Sequence, residues 1–118
     1  EAVPLLEEVL AGCVRVLGPD HPHTLTTRNN LASAYWDTGR LGEAVPLFEE
    51  VLADHVRVLG PDHPRTLITR GNLALAYRDA GRLGEAVPLY EQTLSGLERV
   101  LGPEHPDTVA LRRAWEKH

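Results

Sequence analysis

Apolar residues recur at helical spacing along residues 43–59 and define one face of an amphipathic helix. Polar residues occupy the opposite arc, and Gly60 followed by Pro61 supplies a C-terminal stop. The apolar positions are Ala44, Leu47, Phe48, Val51, Leu52, Val58 and Leu59. This segment therefore predicts one helix that buries a single stripe.

A second kind of segment follows, in which Asp62 can cap the helix and Pro64 can occupy an early helical position before Gly81 ends it. The two kinds alternate along the chain. The predicted spans are residues 1–17, 22–38, 42–59, 64–80, 84–101 and 106–117. Because the turns at 39–42 and 81–84 are short, consecutive helices must pack antiparallel.

The pattern repeats every 42 residues, since the block that begins at Glu1 begins again at Glu43 and Glu85. Residues 1–42 and 43–84 differ at nine positions, so 42 − 9 = 33 positions are identical. Repeats of this length stack into an all-α solenoid with an extended surface, which favours binding over a closed catalytic pocket.

Charge and composition narrow the possible partners. The net charge is -5, with 12 basic residues scattered among 17 acidic ones, which argues against a nucleic-acid partner. No apolar run approaches the roughly 20 residues that span a bilayer, so no membrane partner is expected. Cys13 is the only cysteine, which agrees with a reducing compartment, and a cytoplasmic location is expected. The lack of Met and the ends inside repeats suggest a piece of a longer protein.

No group of residues predicts catalysis, and neither a metal nor a cofactor is expected. The serines, Ser33 and Ser95, lie in no nucleophile motif, and residues 39–42 match no phosphate-binding loop. His21, His63 and His105 recur in the loops. Equivalent loops are two helices apart, which is too far for a shared zinc, so loop geometry is the better explanation. The chain is predicted not to be an enzyme.

Two sequence motifs resemble the tetratricopeptide repeat. Asn-Leu-Ala-x-Ala-Tyr occurs at 30–35 and 72–77, and Gly-Arg-Leu-Gly-Glu-Ala occurs at 39–44 and 81–86. An aromatic residue follows four positions after the last Ala of that second motif. The resemblance covers the whole chain and implies a right-handed superhelical solenoid of antiparallel helix pairs.

The 42-residue period, with Leu-Gly-Pro-Asp-His-Pro at 17–22 and 59–64, is similar to the long variant of kinesin light chains and many bacterial signalling proteins. What the family shares is that it binds peptides, proteins or itself. The resemblance implies a single array over residues 1–118. Its expected divisions are a lone second-type helix (1–21), a first full helix pair (22–63), a second full pair (64–105) and a short capping or truncated helix (106–118).

The near-identical copies differ along one stripe of their first-type helix, the kind that begins at residues 22 and 64. Spacings of three, four and three place the differing positions within an arc of about 80°. Leu25, Leu31, Ala32 and Tyr35 cover another arc that is expected to pack inward. The differing pairs are Thr26/Ile68, Asn29/Gly71, Ser33/Leu75 and Trp36/Arg78.

We expect this stripe to face solvent, and the resemblance implies that it lines the concave groove and contacts the ligand. The alternative is that exposed positions have simply drifted. Trp36 and Arg78 are the expected anchors and favour a ligand with apolar and acidic character. Asn30 and Asn72 border the stripe and could clamp a peptide backbone or bond two helices together. If the stripe faces solvent, Trp36→Ala with Arg78→Glu should leave melting nearly unchanged.

The leading hypothesis is a protein-interaction module that binds a peptide or partner segment in the groove and belongs to a larger bacterial regulatory or signalling protein. The alternative is a self-associating scaffold, because the first helix exposes an apolar face that invites end-to-end stacking or helix exchange. That face comprises Ala2, Leu5, Leu6, Val9 and Leu10.

Overall fold

A computed structural model describes residues 2–116 as six α-helices. They are α1 (Ala2–Leu17), α2 (Pro22–Asp37), α3 (Leu41–Leu59), α4 (Pro64–Asp79), α5 (Leu83–Val100) and α6 (Pro106–Glu116). Each described end lies within one residue of the end expected from the sequence. The ends expected at residues 1 and 117 lie outside the described residues.

The helices stack in chain order along a molecule of 38 × 28 × 23 Å. Each of α2, α3 and α4 packs against the helix before it and the helix after it, and α6 packs against α4 and α5. We call α2, α4 and α6 the first-type helices and α1, α3 and α5 the second-type helices. The predicted all-α solenoid of antiparallel helix pairs is confirmed.

Tight glycine turns reverse the chain between the two helices of each pair. Gly39 and Gly81 follow α2 and α4 with φ angles of 77° and 80°. Only glycine adopts this left-handed region without steric cost, so the chain can leave one helix and enter the next within a few residues. These turns hold α3 beside α2 and α5 beside α4.

Histidines, and not the preceding aspartates, cap the first-type helices. The Nδ1 atoms of His21 and His63 each accept the backbone N–H two residues later, at 3.1 Å. The expected Asp62 cap is therefore wrong, because that carboxylate instead pairs with Arg99 of α5 at 2.9 Å. Capping also gives a physical reason for the recurring loop histidines, including His105, whose Nδ1 accepts from Asp107 at 3.1 Å.

The inward arc of α2 is buried as expected. Leu25 is 2% exposed, Leu31 4%, Ala32 0% and Tyr35 8%. The Tyr35 hydroxyl reaches the core boundary and donates to the Glu7 carboxylate of α1 at 2.6 Å. The core thus runs between the two helix types and leaves the remaining face of the first-type helices to form the candidate site.

Candidate binding surface

The stripe of differing positions on α2 faces the next first-type helix rather than open solvent. The Trp36 indole N–H donates to the Asp79 carboxylate of α4 at 2.6 Å. Arg65 of α4 donates to the Thr26 hydroxyl at 3.4 Å. These contacts make the stripe part of the boundary between α2 and α4, and Trp36 is half-buried there.

Arg78 occupies the corresponding position on α4 and is largely covered by α6. Its side chain is 11% exposed and its Nη1 donates to the carbonyl oxygens of Ala114 and Trp115 at 3.1 and 2.9 Å. Asp79 balances its charge, with an N···O distance of 3.2 Å. The expectation of a solvent-facing Arg78 was wrong, because its guanidinium donates to carbonyl oxygens in the last described turn of α6, where a cation is favourable.

Gly71 and Leu75 are also buried, which again corrects the expected exposure. A Cβ at Gly71 would lie 3.1 Å from Leu111 Cδ1, so the glycine lets α6 approach α4 closely. Leu75 is 5% exposed and belongs to the same apolar cluster as Leu111. Helical spacing correctly grouped these positions into one stripe, but α6 covers that stripe.

The remaining predicted site residues range from exposed to half-buried. Asn30 is exposed, whereas Thr26, Asn29, Ser33, Ile68 and Asn72 are half-buried. The Asn29 Oδ1 atom is buried without a hydrogen-bond partner among the described residues. The structure therefore brings the stripe together as a line of helix-to-helix contacts with openings between them.

One opening, the α2–α4 cleft, has a volume of about 180 Å³. Of the residues in the predicted stripe, Thr26 lines this cleft. The lining residues are Pro22, Leu25, Thr26, His55, Val58, Leu59, His63 and Arg65. Its wall is mostly apolar, with polar groups supplied by Thr26, His55, His63 and Arg65.

His55 is the buried titratable group of that wall. It is 3% exposed, and its Nδ1 lies 3.0 Å from the Thr69 hydroxyl. Burial lowers the pKa of His55 below its usual value of 6.5, and the nearby Arg65 guanidinium lowers it further. The imidazole is therefore held in its neutral form.

The second opening, the α4–α6 cleft, has a volume of about 210 Å³ and a mostly apolar wall. Four predicted site residues line it: Ile68, Gly71, Asn72 and Leu75. The other lining residues are Leu67, Leu97, Asp107, Ala110, Leu111 and Ala114. Sequence reasoning missed this second group, although the 42-residue register places Ala110 at the position equivalent to Ile68.

A third and wider cleft lies between α2 and α3, with a volume of about 420 Å³. Both of its arginines are already paired with carboxylates. Arg28 pairs with Asp54 at 2.6 Å, and Arg57 pairs with Asp20 at 2.6 Å. With its guanidinium groups occupied, this cleft offers a ligand less than the two openings between first-type helices.

Aromatic and charged side chains link the first-type helices at their C-terminal ends. Trp36 bonds Asp79, which pairs with Arg78, and Arg78 lies over the Trp115 ring at 5.3 Å. Trp115 in turn stacks on Tyr90 of α5, with the ring centroids 4.2 Å apart. This chain of contacts, the aromatic bridge, fixes the spacing of α2, α4 and α6.

A stack of helix pairs with openings between alternate helices is the architecture of a helical-repeat scaffold. The chain belongs to the tetratricopeptide repeat family, whose sequence profile matches residues 1–23, 24–65 and 66–107. Tetratricopeptide repeats generally mediate protein–protein interactions and act as non-enzymatic scaffolds.

Two similar crystal structures come from a protein of Podosopora anserina described as a putative kinesin light chain with nearly identical TPR-like repeats. One is a variant with a single substitution and has a TM-score of 0.77, and the other has a TM-score of 0.75. Each is 39% identical to this chain over 98% of its length. The chain spans 56% of the length of either matched chain. No curated protein sequence matches it.

Residues 2–116 contain neither a membrane-spanning helix nor a cluster of metal ligands. Each helix in this range falls short of the length or apolar content that a membrane crossing requires. The same residues hold no group of three or more His, Cys, Asp or Glu side chains placed to bind a metal ion.

Proposed function

We propose that the array binds a peptide or an extended segment of a partner protein along the face formed by α2, α4 and α6. The observation that carries this proposal is the pair of openings between successive first-type helices. Thr26 lines the α2–α4 cleft, and Ile68 and Asn72 line the α4–α6 cleft. Side chains of an extended segment that crosses both helices could enter these openings in turn.

Asn30 and Asn72 are suited to hold the backbone of such a segment. Asn30 is exposed on α2, and Asn72, its equivalent on α4, lies in the wall of a cleft. Each side-chain amide offers donors and an acceptor, which match the carbonyl and N–H of a peptide unit. The alternative role, a helix-to-helix bond through these amides, predicts a loss of stability on substitution instead.

The ligand in this proposal is apolar, but its acidic character is withdrawn. That character rested on a free Arg78, whose guanidinium is occupied by two carbonyl oxygens and Asp79. Trp36 likewise uses its indole N–H within the protein. The binding energy is therefore assigned to the apolar walls of the clefts and to the two asparagines.

The test is affinity capture from lysate of the source cell, with a variant that blocks the face. Asn30→Arg with Asn72→Arg places two long cations on that face. Gln92→Arg with Ser95→Arg is the matched control, since it adds the same charge at exposed positions of the second-type helix α5. We expect the wild type and the control to retain a partner that the Asn30/Asn72 variant loses.

Circular dichroism and melting of both variants show whether the substitutions disturb folding. If a correctly folded Asn30/Asn72 variant captures the same partners as the wild type, the proposed binding face is wrong. If that variant fails to fold, the asparagines bond the helices, and Ile68→Arg on the same face replaces it in the comparison.

The proposal also covers the setting of the array. We propose a cytoplasmic location and a place in a larger regulatory or signalling protein of bacterial type, with no catalysis in this segment. The support is the single cysteine and the resemblance of the 42-residue period. The net charge of -5 further supports a protein partner over a nucleic acid.

A second candidate function is self-association through α1. Val9 is 44% exposed, whereas Val51, the equivalent residue of α3, is 0% exposed. The difference arises because α3 packs against both α2 and α4, while α1 packs against α2. Leu5, at 61% exposed, extends the same apolar surface, which could accept a helix of another copy.

Sedimentation over a range of protein concentrations tests this second candidate. Val9→Glu should lower the average mass at high concentration if α1 mediates association. Leu83→Glu serves as the control, because Leu83 is 55% exposed on α5 and lies away from α1. A mass that stays monomeric for the wild type at every concentration excludes the self-association function.

A further inference from the structure

Four positions in the wall of the α4–α6 cleft are aliphatic where the α2–α4 region carries polar side chains. Ile68 replaces Thr26, Leu75 replaces Ser33, Leu97 replaces His55 and Leu111 replaces Thr69. All four apolar residues line the α4–α6 cleft. The same backbone arrangement therefore presents aliphatic side chains at four positions where the first region has hydroxyl or imidazole groups.

The size of this cleft suits one side chain. Its volume is about 210 Å³. An apolar protein cavity of about 150 Å³ can hold benzene, whereas sites for drug-sized ligands begin at about 300 Å³. Ala110 lines the cleft and is exposed, so the cleft opens to solvent beside α6. A branched aliphatic or phenyl group fits these dimensions.

A carboxylate lies in the wall of this cleft. The Asp107 side chain is 45% exposed and pairs with no Arg or Lys among residues 2–116. Its neighbour is His105, with Nδ1 3.8 Å from Oδ2. That Nδ1 accepts the backbone N–H of Asp107 at 3.1 Å, so this ring nitrogen is engaged by the backbone rather than by the carboxylate. Arg65 occupies the equivalent position in the α2–α4 cleft, so the two clefts carry opposite charges.

We propose that the α4–α6 cleft is a subsite for one large apolar side chain followed by a lysine or arginine, which pairs with Asp107. This inference rests on the proposed function, which it deepens by naming the ligand chemistry. Asn72, in the opposite wall, bonds the peptide unit between the two ligand residues. The apolar side chain supplies most of the binding energy. The pairing of the cation with Asp107 makes a basic residue at the next position bind better than an acidic one.

The test uses synthetic peptides of the form acetyl-Gly-Ser-X-Z-Ser-Gly-amide, where X is Leu, Phe or Ala and Z is Lys or Glu. Binding to the whole 118-residue chain is followed by NMR of the methyl groups of Ala110, Leu111 and Ala114, with Leu25 and Leu59 reporting on the α2–α4 cleft. Peptides with Leu or Phe before Lys should give saturable shifts there. Replacing Lys by Glu should weaken binding about fivefold, and replacing Leu by Ala should weaken it about tenfold or more.

Four protein variants test the assignment, two at the apolar part of the cleft and its equivalent and two at Asp107. Ala110→Leu fills the opening and should abolish the shifts, whereas Thr26→Leu, at the equivalent position of α2, should leave them unchanged. Asp107→Arg should reverse the preference so that Glu-containing peptides bind more tightly. Because Asp107 lies in the first turn of α6, Asp107→Asn is measured in parallel and should remove the preference without reversing it.

Several results would overturn the inference. One is the absence of saturable shifts at peptide concentrations up to about 5 mM, which would detect even a Kd of about 1 mM. The others are equal binding of the Lys and Glu peptides, and shifts confined to the α2–α4 cleft. If Ala110→Leu retains a captured partner that Asn30→Arg with Asn72→Arg loses, the subsite is wrong and the proposed function stands. If the asparagine variant retains that partner, the proposed function itself fails.

Discussion

At the scale of single residues, one position of the second-type helices matches the polarity of the residue it faces. His55 and Thr69 form a polar pair in the α2–α4 region, and an apolar pair occupies the same place next to α6. The facing pairs are Cys13 with Thr27, His55 with Thr69, and Leu97 with Leu111. Each copy therefore matches polarity across the boundary between its helices.

The buried imidazole makes stability depend on pH. Its folded-state pKa is lowered, so the unfolded chain binds a proton more readily once the pH falls below about 6.5. The contribution of neutral His55 is fully present above that pH and is lost as the pH falls towards the folded pKa. We expect urea midpoints to decrease from about pH 7.5 to about pH 5.5, and His55→Leu with Thr69→Leu should reduce the decrease.

The matched comparison is His55→Cys, which creates the pair found in the first copy. It should also lose the histidine contribution to the pH dependence while keeping a polar partner for Thr69. An unchanged pH slope in both variants would mean that His55 is not the responsible group.

The histidine caps lead to a second prediction at this scale. His63→Ala removes the side-chain acceptor for the Arg65 N–H, so the free energy of unfolding should fall by about 1 kcal/mol. His63→Asp supplies another acceptor and should recover most of the loss. Thermal or urea unfolding measures both, and His23→Arg, which converts one copy's exposed residue into the other's, should have little effect. Equal stability of His63→Ala and the wild type would show that the cap contributes nothing.

At the scale of elements, Arg78 determines how α6 is held. Replacing it by Glu removes two bonds to the carbonyls of Ala114 and Trp115 and places an anion at the negative end of the helix. We expect a loss of about 2–3 kcal/mol and faster hydrogen exchange throughout α6. This replaces the expectation that melting would be nearly unchanged.

Two comparisons isolate this effect. Arg78→Lys keeps a cation near the carbonyls and should be intermediate. Arg113→Glu changes an exposed arginine on α6 and should leave the exchange of that helix nearly unchanged. Uniformly faster exchange across all helices in Arg78→Glu would argue against a specific role at the end of α6.

The sequence predicted the elements more accurately than their environment. Apolar periodicity and glycine stops located the helices, because both are local properties of the chain. Leu31 was assigned correctly to the core, since its arc is the same in the first two copies, with Leu, Leu, Ala and Tyr at its four positions. Arg78 and Leu75 were assigned to solvent, because helical spacing groups residues on a stripe without telling which neighbour covers it. The α4–α6 cleft depends on the distance between two helices and was not predicted.

At the scale of the whole molecule, each helix is stabilised mainly by its immediate neighbours. α4 packs against α3, α5 and α6, whereas α6 has 11 residues and packs against α4 and α5. In such an array local opening requires the loss of few contacts at one end. We expect amide exchange of α4 to be slowest and that of α6 to be among the fastest, as measured by mass spectrometry at neutral pH.

A single exchange rate for all six helices would instead indicate one fully cooperative unit. The division into 1–21, 22–63, 64–105 and 106–118 remains a proposal, and the boundaries between exchange rates would test it. A change of rate within a helix pair, rather than between pairs, would contradict that division.

The aromatic bridge also gives the protein an internal optical probe. Trp36 lies on the boundary between α2 and α4, next to Asp79, and Trp115 lies against Arg78 of α4 and stacks on Tyr90. Replacing Trp36 by Phe would leave Trp115 as the sole indole emitter. Its fluorescence would then follow α6 separating from α4, so binding at one cleft could be observed in solution without an attached dye.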